Sequence, residues 1–302
     1  MKKQRDSASV NSMQMRRSLQ RYFPIFLLPM VASFVIGFVW PFCQGMFLSF
    51  TQFKTTSKWT WVGIQNYIKV FKDENFLYSF IYTAVFAAVS LVIINVLAFA
   101  VAYALTRKIR GANLFRTVFF MPNLIGGVIL GYIWQLIFNG ILQYYATNIK
   151  LNATFGFLGL VILLCWQQIG YMMIIYISGL SAIPDSLYEA ARVDGATRWQ
   201  TLRKITLPMM MPSITICTFL TLTNSFKLFD QNLALTAGEP GVQIAGKTVY
   251  QTEMLALNIY NTFYRNANTR GVGQAKAVVF FLLVAVIALA QLYFTRRKEE
   301  QM

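Results

Sequence analysis

The sequence predicts an all-α membrane protein of six transmembrane helices with both termini in the cytoplasm. Three observations carry that expectation. First, the 302-residue chain is 56% hydrophobic with a mean hydropathy of +0.50, and only 13% of its residues are charged, where a soluble domain has about 25%. Second, apolar runs of roughly the 20 residues needed to cross a bilayer core recur along the chain. Third, the basic residues concentrate in alternate segments between those runs, as the positive-inside rule requires.

The elements follow in order. Residues 1–20 are polar and basic, and Lys2, Lys3, Arg5, Arg16, Arg17 and Arg21 precede the first span, 22–50. This run is too long for a signal-peptide core, and no small-residue cleavage site follows it. Pro29 and Pro41 are expected to kink it, at a backbone cost that neighbouring helices offset. An outer loop, 51–75, offers Trp61, Tyr67 and Phe71 to the membrane interface. The second span, 76–105, ends in a short basic loop with Arg107, Lys108, Arg110 and Arg116. The third span is 117–138, the next outer loop 139–154 and the fourth span 155–180. A polar segment with Arg192, Arg198, Arg203 and Lys204 leads to the fifth span, 209–229. The outer segment 230–274 holds one partly amphipathic helix around Met254, Leu255, Leu257, Ile259, Tyr260 and Phe263, read as packed on the bundle. The sixth span is 275–295; Arg296, Arg297 and Lys298 follow it, and 299–302 form a cytoplasmic end. One side thus carries 17 of the 27 basic residues. The net charge of +16 reads as membrane-surface charge, with no nucleic-acid partner implied.

Several chemistries are excluded. There is no histidine, so imidazole metal ligation and histidine-based catalysis are out. Cys43, Cys165 and Cys217 lie singly in apolar runs and imply neither a disulfide framework nor a metal site. No nucleophile–base pair with histidine is possible and no paired carboxylates fall at one membrane depth, so an enzyme is not expected. Residues 241–248, from Gly241 to Gly246, Lys247 and Thr248, match the phosphate-loop pattern in full. That loop needs a preceding strand and a following helix to converge backbone N–H groups on phosphate. Here it follows Glu239-Pro240 in an outer loop, and is read as a chance match. None of the 11 acids falls well inside a span; Asp230 sits at an end. Ionisable groups inside membranes mark ion or proton pathways, so a stand-alone secondary solute carrier, the alternative, lacks its usual machinery. A pump without a nucleotide site must draw energy from a partner.

The polar segment 184–208 is where a partner would act. Pro184 and Asp185 suit a first helical turn, by fixed φ and by charge. Gly195 suits a positive-φ helix end. Thr197 and Gln200 have capping-box spacing, and a second helix with Trp199, Leu202 and Ile205 on one side is expected to end at Leu207-Pro208. A Glu189–Arg192 pair within the first helix would contribute only about 0.2–0.5 kcal/mol. The run Glu189-Ala190-Ala191-x₃-Gly195-x₉-Ile205-x-Leu207-Pro208 resembles the EAA loop of ABC importer permeases. Gly63 to Tyr67, Phe120 to Asn123, Trp166 to Gly170 and Ser225 to Asp230 extend the resemblance to the carbohydrate-uptake branch, maltose-permease-like and of multiple-sugar or raffinose type. Together they span about 20–298.

The resemblance implies a type I ABC importer permease fold in a bacterial cell membrane, with a permease domain over 21–298. The chain would be one permease of a heterodimer. A cytoplasmic ABC ATPase dimer would hold ATP and Mg, none being bound by this chain, and an extracellular solute-binding protein would deliver sugar. The coupling residues implied are Leu187, Tyr188, Glu189, Ala190, Ala191, Asp194 and Gly195. Glu189 would make a polar contact on the ATPase, and Leu187, Tyr188 and Ala191 would pack in its groove. The sugar contacts carried over by position are Asn123, Gly127, Gln167, Gln168, Tyr171, Thr221 and Ser225, with Asn224 as a neighbour. Amides in apolar runs are costly to bury without partners, and the competing reading is interhelical hydrogen bonding, worth about 0.6 kcal/mol on average in membranes. The family's Gly-rich turn after Phe229-Asp230 is altered here to Ala237-Gly238-Glu239-Pro240, which reduces backbone freedom.

Overall fold

A computed structural model describes residues 22–107, 110–244 and 247–299. The expected tail 1–20, with Arg21, Lys108 and residues 300–302, lies outside the described residues.

Helix α1, Tyr22–Ser49, runs unbroken through both prolines. A π-turn at Val35–Val39, closed by Trp40 N–H to the Val35 carbonyl, stands directly ahead of Pro41. Proline has no N–H and its ring crowds the carbonyl four residues back; the wider turn supplies the room. A hairpin of β1 (Thr51–Thr55) and β2 (Lys58–Trp61) and the short helix α2 (Gln65–Phe71) follow. Helix α3, Glu74–Leu105, starts at Asp73, whose carboxylate accepts from Asn75 N–H at 3.1 Å, satisfying one of the orphan donors of a helix start.

One expected span, 117–138, is not a single helix, and another, 209–229, is entered through a bend. Helix α4 (Ala112–Phe120) tightens into a 3₁₀ turn at Met121–Leu124, and α5 (Gly127–Leu142) leaves it at 101°. Ile125 and Gly126 take extended backbone between them, as Pro122 and a glycine pair permit. Helix α6, Ala153–Ser181, is capped by Asn152, which accepts from Thr154 and Phe155 N–H. After α7 (Asp185–Val193) and α8 (Arg198–Met209), α9 (Met211–Phe226) turns away by 69°. Then come α10 (Asp230–Leu235), a hairpin of β3 (Gly241–Ile244) and β4 (Lys247–Tyr250), α11 (Leu255–Tyr264) and α12 (Arg270–Glu299).

The result is an all-α, multi-pass membrane protein carrying two short hairpins. Four helices are long and apolar enough to cross a bilayer, or up to six if each bent pair counts as one span. Helix α6 is the centre: 61% of its most apolar window is buried in this chain, against 0% for α1. Leu160, Leu164, Met172 and Tyr176 of α6 pack on Phe86, Ile94, Ala98 and Ala102 of α3. Small residues four apart on α3 allow the close approach on which helix association in lipid depends. Helix α1 meets α12 through Phe42 and Phe281, edge to face at 5.1 Å. A second cluster, Val70, Phe76, Leu255 and Ala275, joins α2, α3, α11 and α12.

Candidate functional site

The segment between α6 and α9 is a helical hairpin whose turn is specified at almost every position. Pro184 is the N-cap rather than a first-turn residue, and Asp185 opens α7, where the helix dipole favours a carboxylate. At the far end Ala196 N–H donates to the Ala191 carbonyl at 2.9 Å and Gly195 N–H to that of Arg192 at 3.1 Å. These are the paired bonds of a Schellman motif. Gly195 sits at φ +71° with nothing within 4 Å of where a Cβ would stand; the backbone angle alone calls for glycine. Immediately afterwards Thr197 Oγ1 accepts from Gln200 N–H at 3.3 Å and Gln200 Oε1 from Thr197 N–H at 2.8 Å, a complete capping box. Helix α8 does not end at Pro208 as expected. A π-turn at Leu202–Thr206, closed by Leu207 N–H to the Leu202 carbonyl, lets it pass the proline and reach Met209.

The hairpin sorts its side chains into two sets. Ala191 is buried and Tyr188 is half-buried, its hydroxyl 3.3 Å from Thr206 Oγ1 across the hairpin. Leu187, Glu189, Ala190, Asp194 and Gly195 are exposed. Glu189 forms no pair with Arg192 or with any other described residue, so its carboxylate is uncommitted. Two apolar groups that sequence reasoning left out of the contact set stand in the open: Val193, 87% exposed, and Trp199, 66% exposed.

The polar residues of the bundle divide likewise. Thr221 and Ser225 are buried, and each donates to a backbone carbonyl of its own helix at 2.8 Å. Asn95 of α3 donates to Thr221 Oγ1 at 3.3 Å and accepts from the Tyr176 hydroxyl at 2.7 Å. Thr221 therefore sits in the α3–α9 interface, and Ser225 is buried one turn further along the same helix. Gln167 is also committed, accepting from Gln231 Nε2 at 2.8 Å and donating to the Ile125 carbonyl at 3.4 Å. Its partner Gln231 belongs to α10, which Gly127 seats: a Cβ there would stand 2.8 Å from that of Asp230. Gln168 and Tyr171 are half-buried; Gln168 Oε1 meets Asn224 Nδ2 at the outer limit of 3.5 Å, and the Tyr171 hydroxyl makes no hydrogen bond among the described residues. Asn123 is half-buried on the 3₁₀ turn. Of the expected contacts and their neighbour Asn224, those with amides or hydroxyls that are not buried are Asn123, Gln168, Tyr171 and Asn224. Sequence reasoning does not find Asn95 and Gln231, though a lone amide mid-span is a visible sign of the first.

A buried charge cluster escapes sequence reasoning altogether. Lys276, near the start of α12, is 1% exposed, and its ammonium lies 2.7 Å from Asp73 Oδ2, Asn258 Oδ1 and Thr262 Oγ1. Asn258 Nδ2 in turn donates to Glu253 Oε2 at 2.7 Å, and Asn261 donates to the other oxygen of that carboxylate. Lys276 closes the apolar run of the last expected span on its outer side, where composition disguises it.

The phosphate-loop match forms a β-hairpin, with Gly246 outside the described residues and no helix after Thr248 until Leu255. Among the described residues no group of acids and cysteines is arranged to hold a metal ion, and Cys43, Cys165 and Cys217 are all free.

Comparison with known proteins gives a concordant result. Residues 107–300 match the family model described as "Binding-protein-dependent transport system inner membrane component". The "Probable starch degradation products transport system permease protein" of Thermoanaerobacterium thermosulfurigenes is 44% identical, covering 93% of this chain and 96% of its own. The "Multiple sugar-binding transport system permease protein" of Streptococcus mutans is 29% identical over 95% of this chain and 100% of its own. A chain in the crystal structure of a bacterial ABC transporter involved in the import of the acidic polysaccharide alginate superposes with a TM-score of 0.76 at 21% identity, covering 94% of this chain and 99% of that one.

Proposed function

The chain belongs to the family of inner-membrane components of binding-protein-dependent transport systems, and on that premise we propose that it forms one half of the path for a neutral oligosaccharide and takes up its driving force at the 184–208 hairpin. It is a permease subunit of an ABC-type importer in a bacterial cell membrane, and not itself an enzyme. The energy comes from a partner ATPase; a stand-alone carrier is set aside. In this reading each bent pair, α4 with α5 and α8 with α9, counts as one span. That makes six spans, with both termini and the hairpin in the cytoplasm.

One observation carries the proposal: a hairpin held rigidly by a Schellman motif and a capping box, leaving Glu189, Val193 and Trp199 outward and uncommitted. A rigid element with an exposed apolar tip and an acid is suited to fill a partner's groove. Closure of the ATPase dimer then moves α6 and α9, between which the hairpin is strung. A partner can shift the balance of inward- and outward-open states only by contacting them unequally, and the hairpin is where this chain offers such contact. The choice of cargo rests on the relatives that carry starch degradation products and multiple sugars, and on the accessible groups Asn123, Gln168, Tyr171 and Asn224. These supply uncharged donors, acceptors and a ring face.

The test is uptake by the complete complex, with second permease, ATPase and cognate binding protein, in proteoliposomes. Neutral gluco-oligosaccharides should be accumulated with ATP, unaffected by dissipating ion gradients, while uronate oligosaccharides are not. Uptake by this chain alone, abolished with the ion gradient, would overturn the reading.

A further inference from the structure

The Lys276 cluster ties three elements, α3, α11 and α12, at one point. An ammonium has three donors and no acceptor, and all three are used: on Asp73 at the N-cap of α3, and on Asn258 and Thr262 of α11, each at 2.7 Å. The ring of Phe76 lies 5.4 Å from the charge. Nearby, Leu255 N–H at the start of α11 donates to Thr83 Oγ1 of α3 at 2.9 Å. The arrangement continues inward. Asn232 of α10 donates to the Thr252 carbonyl at 2.8 Å and accepts from Met254 N–H at 3.0 Å. Phe229 packs on Tyr260 of α11 with ring centroids 5.0 Å apart. Helix α10 then reaches Gln167 through Gln231. A continuous line of contacts therefore runs from Lys276 through α11 and α10 to the polar lining.

Stability alone does not account for the cluster, because a buried ion pair replaced by well-packed apolar groups is often neutral or stabilising. What a three-way polar contact adds is register: it is satisfied in one relative placement of α3, α11 and α12, whereas an apolar contact tolerates sliding. We propose that Lys276 is a positioning residue. It fixes α11 against the outer ends of α3 and α12, and through α11 and α10 it sets Gln231 and Gln167, the chain neighbour of Gln168 in the sugar path. This rests on the importer reading given above.

The experiment compares three forms of the assembled complex: native, Thr262→Val, and the double variant Asp73→Leu/Lys276→Met, which removes both charges together. Two quantities are read. One is the oligosaccharide concentration giving half-maximal uptake, alongside the maximal rate. The other is amide hydrogen exchange across 255–264 without sugar. The expected result is that both variants assemble with maximal rates within about two-fold of native. The half-saturating concentration should rise about three-fold for Thr262→Val and ten-fold or more for the double variant. Exchange across 255–264 should quicken at least ten-fold in the double variant. Native-like half-saturation in Thr262→Val overturns the proposal, even if the double variant fails to assemble. Unchanged exchange in the double variant overturns it without reference to any sugar. A native complex that takes up no oligosaccharide refutes the importer reading instead, and the exchange measurement still decides the positioning claim.

Discussion

Val193 is 87% exposed at the end of α7, two residues before a glycine where an added Cβ would meet no neighbour within 4 Å. A lone exposed apolar residue needs no explanation. One presented with Trp199 on a doubly capped turn does, since ordering both ends of a turn costs conformational entropy that contacts must offset. Val193→Asp therefore should leave the chain folded and weaken association with the ATPase at least ten-fold, read as the ATPase concentration needed for half-maximal assembly in detergent or nanodiscs. Unimpaired assembly would remove Val193 from the contact. The positive-φ helix end at Gly195 was legible from residue type and spacing. Val193 and Trp199 were not, because a valine and a tryptophan near a membrane surface are ordinary until exposure is known. Lys276 was hidden for a related reason: at the mouth of an apolar run, sequence does not distinguish a snorkelling lysine from one enclosed by Asp73, Asn258 and Thr262. The altered turn at Ala237 adopts a left-handed backbone regardless, taking φ +53° despite its side chain, at a cost of about 1–2 kcal/mol for a left-handed non-glycine residue.

At the scale of elements, the two bent pairs were the least legible feature. Apolar runs mark where the chain lies in lipid but not whether its backbone turns there, and Pro122, Gly126 and Gly127 signal only that it is free to. Helix α8 reverses the lesson. Pro208 reads as a stop, yet the π-turn at Leu202–Thr206 absorbs it, and the helix ends at Met209 instead. The capping box was legible in full, because Thr197 and Gln200 satisfy each other's backbone with no tertiary help. Its removal is correspondingly local. Thr197→Ala should cost about 1 kcal/mol, seen as faster amide exchange at 198–201 with the remainder of the chain unaltered. Exchange at those amides indistinguishable from native would mean that packing of Tyr188 on Thr206, rather than the cap, fixes the turn.

For the whole molecule, the organisation is a central helix, α6, wrapped by α3 and α9, with the hairpin at one end and the Lys276 cluster at the other. Hydropathy and charge placement announced a multi-pass protein because lipid forces backbone bonds inside helices. They could not reveal that Thr221 and Ser225 are buried with their hydroxyls bonded to their own helix, since such a hydroxyl and one facing a sugar are the same letter. The central claim is that energy enters at the hairpin. Its most direct measurement is ATP hydrolysis by the reconstituted complex, with and without sugar-loaded binding protein, for the native chain and Glu189→Ala. The account predicts strong stimulation in the native complex and loss of at least ten-fold of it in Glu189→Ala, with the permease still inserted and paired to its second subunit. Full stimulation in Glu189→Ala, with transport intact, would contradict it.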